Sequence, residues 1–239
     1  MKVLGINGSP RKGWYTETLI KKALEGAAAA GADTELIDLY DQKFNGCLEC
    51  NACKRKGIDT GGICAIKDNM RPILQKAHEA DVIIVGAPNY FGYPAAKLLE
   101  FLERFLFPIT SYQIEDGKLV RVLGKRIVPA GVIFTMNADE GYYHAGGYEI
   151  SLGHVRDTLE YLLGYAEQYN SYMTLQFKDY SKMRADMFDG EAREKRHESQ
   201  FPIDEQECYE MGRRLVVKAQ EMNNAENRPV PLSRNSDAL

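Results

Sequence analysis

The chain has 239 residues, of which 44% are hydrophobic and 27% charged, and its formal net charge is −4. This length suits one well-cored α/β domain with additional segments and leaves little room for two full domains. The acidic balance gives no electrostatic footprint for nucleic acid or an anionic membrane, and no apolar run approaches the roughly 18 residues of a membrane span, so we expect neither partner.

The first predicted element is a short apolar strand, Lys2–Asn7, which leads into a glycine-bearing loop and then into a helical pattern. Such a turn aims backbone N–H groups and a helix N-terminus at one small volume, which favours an anion. The loop also carries hydroxyl and guanidinium donors that suit phosphate oxygens: Ser9, Arg11, Thr16 and Thr18. No G-x-G-x-x-G is present, and Trp14 stands where a nucleotide-hydrolysing loop needs Lys. The loop therefore predicts a phosphate cradle of another kind, the alternative being a plain surface turn.

A long loop over 44–64 carries four of the five cysteines: Cys47, Cys50, Cys53 and Cys64. Three thiols separated by two residues each can ligate one cuboidal iron-sulfur centre. Structural zinc and free thiols without metal are the alternatives, and all three stay open at this point. Clustered cysteines in odd total number fit a reducing compartment, and no cleavable signal precedes the first strand, so we expect a cytoplasmic protein.

The remaining elements follow from hydrophobic periodicity. In chain order they are a helix over 19–28, a strand over 34–39, a helix over 68–79, a strand over 82–87, a helix over 95–105, a strand over 127–134, a helix over 152–162, a strand over 172–177 and a helix over 204–223. Residues 107–125 are predicted to be a hairpin-like insertion, a lid or a long connection. The charge-rich residues 176–200 are predicted to be irregular or partly ordered, and 223–239 to be a tail that either packs on the domain or is loose.

Five strands that alternate with helices predict an α/β fold in three layers, a flavodoxin-like doubly wound parallel five-stranded sheet in the order 2-1-3-4-5 with helices on both faces. Ligands of such sheets bind beyond the carboxyl ends of the strands at the switch point. The phosphate loop, residues 88–92 and residues 135–141 are expected to converge there. We predict one domain over 1–175 and a C-terminal extension over 176–239 that is not an independent domain.

Three stretches resemble the flavodoxin-like NAD(P)H-dependent FMN reductases: Gly8 to Lys12 with Thr16 and Leu19, Gly86 to Gly92, and the cysteine loop, which resembles the branch that includes the iron-sulfur flavoproteins. The similarity covers about residues 1–175. It implies that the first loop wraps the FMN phosphate and that residues 88–92 and 135–141 flank the isoalloxazine. The expected FMN contacts are Ser9, Arg11, Lys12, Tyr15, Thr16, Glu17, Thr18, Pro88, Asn89, Tyr90, Phe91, Gly92, Thr135 and Asn137, and the expected metal ligands are Cys47, Cys50, Cys53 and Cys64.

The cofactor indicates the chemistry. A reduced nicotinamide passes hydride to the flavin, and a second acceptor then removes the electrons, which requires no protein acid or base, so no catalytic residue is predicted. The favoured hypothesis is an FMN-dependent NAD(P)H oxidoreductase that reduces quinones, flavins, or nitro- or azo-aromatics. The alternatives are an iron-sulfur flavoprotein electron carrier with a [4Fe–4S] cluster that exchanges electrons with ferredoxin, and a scaffold that has lost its flavin. The resemblance also implies a homodimer or homotetramer.

Overall fold

Strands and helices alternate along the chain in the computed structural model, which describes residues 1–58, 60–122 and 127–224. In chain order the elements are β1 (Lys2–Asn7), α1 (Tyr15–Ala29), β2 (Asp33–Asp38), α2 (Met70–Glu79), β3 (Val82–Tyr90), β4 (Tyr93–Pro94), α3 (Ala96–Leu106), β5 (Thr110–Glu115), β6 (Lys118–Val122), β7 (Val128–Thr135), α4 (Glu140–Ala145), α5 (Tyr148–Leu163), β8 (Gly164–Ser171) and α6 (Gly190–Asn224).

The main sheet has the strand order β2-β1-β3-β7-β8, and these five strands are parallel. This confirms the predicted flavodoxin-like order 2-1-3-4-5. Every residue of β7 is buried, as expected for a strand covered by helices on both faces. Pro129 is tolerated in this central strand because it pairs with Tyr165 of β8 one position before the pairing with β3 begins at Ala130.

The two faces of the sheet carry separate apolar cores. The larger core lies under α2, α3 and α5, and the other lies under α1 and α6. Helices α1 and α6 approach each other very closely, because two glycines face the partner backbone. A Cβ at Gly26 would lie 1.9 Å from the carbonyl oxygen of Tyr209, and one at Gly212 would lie 1.8 Å from that of Ala23. The final helix is therefore an integral part of the core on this face of the sheet.

The prediction for α6 was wrong in its first half. The helix begins at Gly190, whereas periodicity places its start near residue 204 and predicts an irregular or partly ordered segment over 176–200. Before residue 204 its buried residues are only Arg193 and Phe201, so the apolar period that signals a helix is missing there. Residues 225–239, which include the predicted tail, lie outside the described residues.

The fifth strand was also misplaced. It spans Gly164–Ser171 and starts directly at the end of α5, where Gly164 adopts a φ of +100°. The predicted segment, residues 172–177, forms the loop beyond it. The true strand reads GYAEQYNS, and it lacks an apolar run because it pairs with β7 alone at the sheet's margin.

Residues 110–122 form the antiparallel hairpin β5–β6, one of the structures expected for 107–125, while residues 123–126 lie outside the described part. Among the described helices, none combines the length and apolarity that a membrane crossing requires.

Candidate functional site

Three strands end side by side at one edge of the sheet. Asn7 of β1 pairs with Gly86 of β3, and Pro88 of β3 pairs with Thr135 of β7. The Gly8 N–H donates to the Gly86 carbonyl at 2.8 Å, so the first loop begins pinned to the central strand. A side chain at Gly8 would place its Cβ 2.8 Å from the Cβ of Leu98, which explains why glycine stands here. The three loops singled out from the sequence therefore leave the sheet next to one another.

The first loop is shaped by its own side chains. Asn7 accepts a hydrogen bond from the Ser9 N–H at 3.0 Å, and the Ser9 hydroxyl accepts from the Arg11 N–H at 3.2 Å. Gly13 adopts a φ of +65° and donates its N–H to the Glu17 carboxylate at 2.5 Å. The loop therefore holds its turn without a ligand and already binds one anionic oxygen on a backbone N–H.

Glu17 is buried but ionised. Burial works against its charge, yet hydrogen bonds from Lys21 and from the Gly13 N–H outweigh this and hold the Glu17 pKa below its ordinary value. Lys12 lies on the outer side of the loop, where it pairs with Asp41 at 2.5 Å and lies 3.9 Å from Asp38. A hydrogen bond to Asp41 raises the Lys12 pKa. Carboxylates near the loop therefore neutralise part of its positive charge, as Asp41 does for Lys12.

Thr16 and Thr135 join two of the predicted loops. Their hydroxyl oxygens lie 2.8 Å apart, and both side chains are buried. Thr18 donates to the carbonyl of Trp14 at 3.0 Å. Tyr15 differs from its neighbours, because its side chain turns towards α6 and its hydroxyl hydrogen-bonds to His197 at 2.9 Å. Burial raises the pKa of Tyr15 to about 12.

A chain of hydrogen bonds links α6 to the phosphate loop. The guanidinium of Arg193 donates to the Asn137 side chain at 2.6 Å and to its carbonyl at 3.2 Å. Asn137 donates to the Gln176 side chain at 3.1 Å, and Arg11 donates to the Gln176 carbonyl at 2.6 Å. Sequence reasoning missed Gln176 and Arg193, since both lie in the charge-rich stretch read as irregular.

The loop at the end of β3 presents aromatic side chains to solvent. Asn89 accepts a hydrogen bond from the Gly92 N–H at 2.8 Å, which closes a tight turn. Within it, Phe91 has a φ of +56° and is 93% exposed, and Tyr90 is half exposed. Gly92 has a φ of +85°, and a Cβ there would lie 2.9 Å from the ring of Tyr148. The turn therefore requires glycine and holds its aromatic rings outward.

All four clustered cysteines line one small hollow beside α3: Cys47, Cys50, Cys53 and Cys64. Cys47 and Cys50 are exposed, Cys53 is half-buried and Cys64 is buried. Cys64 thus joins the other three despite its distance along the chain. Within the described ranges, no three His, Cys, Asp or Glu side chains form a group that could hold a metal ion. Cys208 is buried in the core under α6.

A buried arginine fastens both ends of the cysteine loop. Arg104 of α3 is 1% exposed and donates to both oxygens of Asp68, at 2.6 and 2.9 Å. It also donates to the carbonyl of Asn45 at 3.1 Å. The hydrogen bond from Arg104 lowers the Asp68 pKa. The available sequence signal was a charged residue on the apolar side of α3, next to Phe101 and Phe105.

The strand order and the phosphate-type loop at its switch point define a flavodoxin-like α/β protein. The model of the NADPH-dependent FMN reductase family matches residues 1–136, and the chain belongs to this family. The resemblance found in the sequence is thereby confirmed.

Two curated relatives and one solved structure illustrate the similarity. An iron-sulfur flavoprotein of Methanocaldococcus jannaschii is 44% identical over 104 residues, which cover 44% of this chain and 51% of that protein. A second iron-sulfur flavoprotein of this organism is 30% identical over 157 residues, covering 66% and 70%. The structure of an NAD(P)H:quinone oxidoreductase from Methanothermobacter marburgensis superposes with a TM-score of 0.62 at 18% identity, covering 90% and 98% of the two chains, and shows the shared fold. The chain spans about half the length of the curated iron-sulfur flavoproteins that it matches over 104 residues.

Proposed function

We propose that this protein is an FMN-dependent oxidoreductase that takes electrons from NAD(P)H and passes them to a small acceptor such as a quinone, a flavin, or a nitro- or azo-aromatic compound. The observation that carries the proposal is the meeting of three loops at the switch point, where the contact between Thr16 and Thr135 joins two of them and the Gly8 N–H is bonded to the Gly86 carbonyl of the third strand. Family membership supports FMN as the cofactor.

The residues present fit FMN. In the proposed complex, Ser9, Thr16, Thr18 and Arg11 hold the phosphate, together with the N–H groups of a loop that already binds a carboxylate oxygen at Gly13. Residues 88–92 and 135–137 flank the ring, and the outward aromatics Tyr90 and Phe91 cover it and keep water from the reacting face. The flavin, when bound, supplies hydride acceptance and electron release. The protein supplies anchoring, orientation and exclusion of water.

The test is FMN binding by the purified, flavin-free protein, followed by steady-state NAD(P)H oxidation with quinone and azo acceptors. Arg11→Gln removes a charged phosphate contact and should weaken FMN binding by about tenfold or more. Arg156→Gln is the matched control, because Arg156 is exposed on α5 and, among the residues that the structure describes, its ion pair is with its neighbour Asp157. The proposal fails if the wild-type protein has no measurable affinity for FMN, or if both variants bind it equally well.

The hollow lined by four thiols favours a second candidate function. In it, the protein is an iron-sulfur flavoprotein that carries electrons to and from a ferredoxin-type partner. The four cysteines would hold a [4Fe–4S] cluster, which supplies one-electron transfer, once their side chains turn towards one another, since they line one hollow but are not grouped for a metal in the described structure. Arg104 would place a positive charge at the edge of the hollow. The names of the curated relatives support this candidate.

Iron and sulfide analysis after anaerobic reconstitution tests the cluster. Cys47→Ser should abolish iron uptake, whereas Cys208→Ser, in the core under α6, should not. Zinc in place of iron, or no metal at all, contradicts the carrier function. If a cluster is present, rapid reduction by ferredoxin with negligible NAD(P)H oxidation favours the carrier, and the reverse favours the reductase. The expected homodimer or homotetramer and the cytoplasmic location stay predictions.

A further inference from the structure

A basic, aromatic pocket opens beside the phosphate loop and shares Arg11 and Lys12 with the FMN contacts named above. It has a volume of about 520 Å³, within the usual range for small-molecule sites. One wall comes from the phosphate loop and the other from residues 176–183. The second wall lies beyond residues 1–136, the part that matches the family model, so the family pattern does not account for this pocket.

The pocket is built around a fixed indole ring. Trp14 donates its ring N–H to the Leu175 carbonyl at 3.1 Å, which sets the orientation of the ring. The guanidinium carbon of Arg11 lies 5.5 Å from the ring centroid and the ammonium of Lys178 lies 5.9 Å from it. Both cations are within the range of a cation–π contact. Two like charges are thus held at one aromatic ring.

These two charges are not neutralised by carboxylates. In the described part of the chain, neither Arg11 nor Lys178 has an ion-pair partner, whereas Lys12 pairs with Asp41 and Lys182 pairs with Asp179 at 2.7 Å. Four cations and one carboxylate line the pocket, in a chain whose formal net charge is −4. Like charges held close together without a counter-charge destabilise one another. The FMN phosphate would neutralise part of this charge at Arg11, but Lys178 would still lack a counter-charge, which a second bound anion supplies. The pocket therefore suits a ligand with a phosphate and an aromatic base.

We propose that this pocket binds the 2′-phosphoadenosine group of NADPH, with its phosphate at Lys178 and its adenine against Trp14 and Phe177. Arg11 is shared between this phosphate and that of FMN, since a guanidinium carries five N–H donors and only one of them is used on the Gln176 carbonyl. The inference rests on the proposed reductase function, which requires a nicotinamide dinucleotide at the neighbouring flavin. A 2′-phosphate carries close to two negative charges at pH 7, and NADH lacks it. The pocket thus selects NADPH over NADH.

Adenosine 2′,5′-bisphosphate is a probe that binds without any redox step. Trp14 is the one tryptophan of the chain, so its fluorescence reports on this pocket directly. Titration of the FMN-loaded protein, followed by Trp14 fluorescence and by calorimetry, should give saturable binding that is tighter than for 5′-AMP. Lys178→Gln should weaken it about fivefold to tenfold, the usual effect of losing one exposed charged contact to phosphate.

Lys218→Gln is the matched control, because Lys218 also lies over an aromatic ring, 5.3 Å from the centroid of Tyr165, but on α6 away from the loop. It should bind the probe as the wild type does. In steady-state assays, Lys178→Gln should lower the ratio of kcat/KM for NADPH to that for NADH by a similar factor.

Three results overturn the inference. The first is that the probe does not bind. The second is that 5′-AMP binds as tightly as the probe, which would assign the pocket to adenosine phosphates in general, such as the adenosine half of FAD. The third is that Lys178→Gln and Lys218→Gln change probe binding equally. Failure of this inference can be distinguished from failure of the proposed reductase function. A protein that binds the probe as expected but oxidises neither NADPH nor NADH refutes the reductase, and one that oxidises both equally in wild type and variant refutes only the pocket.

Discussion

Replacing Arg104 by methionine should destabilise the protein and loosen the cysteine loop. Methionine keeps the apolar stem but removes the charged hydrogen bonds to Asp68 and Asn45. Breaking a buried ion pair from one side costs about 3–5 kcal/mol, because the other charge is left unpaired. The Asp68 side chain is 26% exposed, so water recovers part of the loss. We therefore expect a decrease of about 3 kcal/mol in the free energy of unfolding, near the lower end of that range.

Urea unfolding followed by circular dichroism measures this loss, and thermal unfolding should show a midpoint lower by about 6–12 °C for a chain of this size. A double-mutant cycle with Asp68→Asn isolates the pair and should give a coupling energy of about 2 kcal/mol. Thiol labelling of the reduced, metal-free protein adds a local readout. Cys64 is 7% exposed in the wild type, and the variant should make it reactive.

Arg156→Met is the control, since its pair with Asp157 is exposed on both sides and should contribute less than about 0.5 kcal/mol. The reasoning is refuted if Arg104→Met and Asp68→Asn are additive, or if Arg104→Met costs no more than the control. Either result would mean that the bidentate contact does not hold the loop.

Three further predictions concern acid stability, helix packing and the flavin site. The lowered pKa of Asp68 means that its pair stabilises the fold above the ordinary value of 3.8 and is lost as the pH falls, so acid unfolding curves of wild type and Arg104→Met should converge below about pH 4. Gly212→Ala should cost about 3 kcal/mol in urea unfolding, because its Cβ meets backbone on α1, whereas Gly153→Ala in α5 meets nothing within 4 Å and should be neutral or slightly stabilising. Arg193→Ala should weaken FMN binding about fivefold to tenfold by releasing the loop after β7, measured by flavin fluorescence, and Arg213→Ala, exposed on the same helix, should not.

The first loop could be predicted because its signal is local. Strand, loop and helix are adjacent in sequence. A run such as Gly8-Ser9-Pro10-Arg11 predicts the turn from its glycine and proline and the positive charge from its arginine. The central strands β3 and β7 could be predicted for the same reason, since burial on both faces leaves continuous apolar runs. The strand order then followed from general rules for parallel sheets.

The elements whose positions were predicted wrongly are those that are buried by contacts with residues far away in the sequence. Strand β8 is polar in sequence, and only its pairing with β7 makes it a strand. The first part of α6 lacks an apolar stripe, and its polar side chains are held by long-range contacts. Asp204 of that helix is buried with hydrogen bonds from Tyr169 at 2.9 Å and from Arg196 and Ser171 at 2.5 Å. Burial and this hydrogen bond raise the Tyr169 pKa. No window of a single sequence displays such a network.

These distant contacts bear on specificity. The family model ends at residue 136, within the loop that follows β7. Beyond it, Asn137, Gln176 and Arg193 fix the position of Arg11, and residues 176–183 build the second wall of the basic pocket. The part that matches the family model thus contains the proposed phosphate cradle, whereas the residues that orient its arginine and line the second wall of the adjoining pocket lie beyond that part. Changes beyond residue 136 should therefore alter nucleotide preference more readily than changes in the cradle, which should alter flavin affinity first.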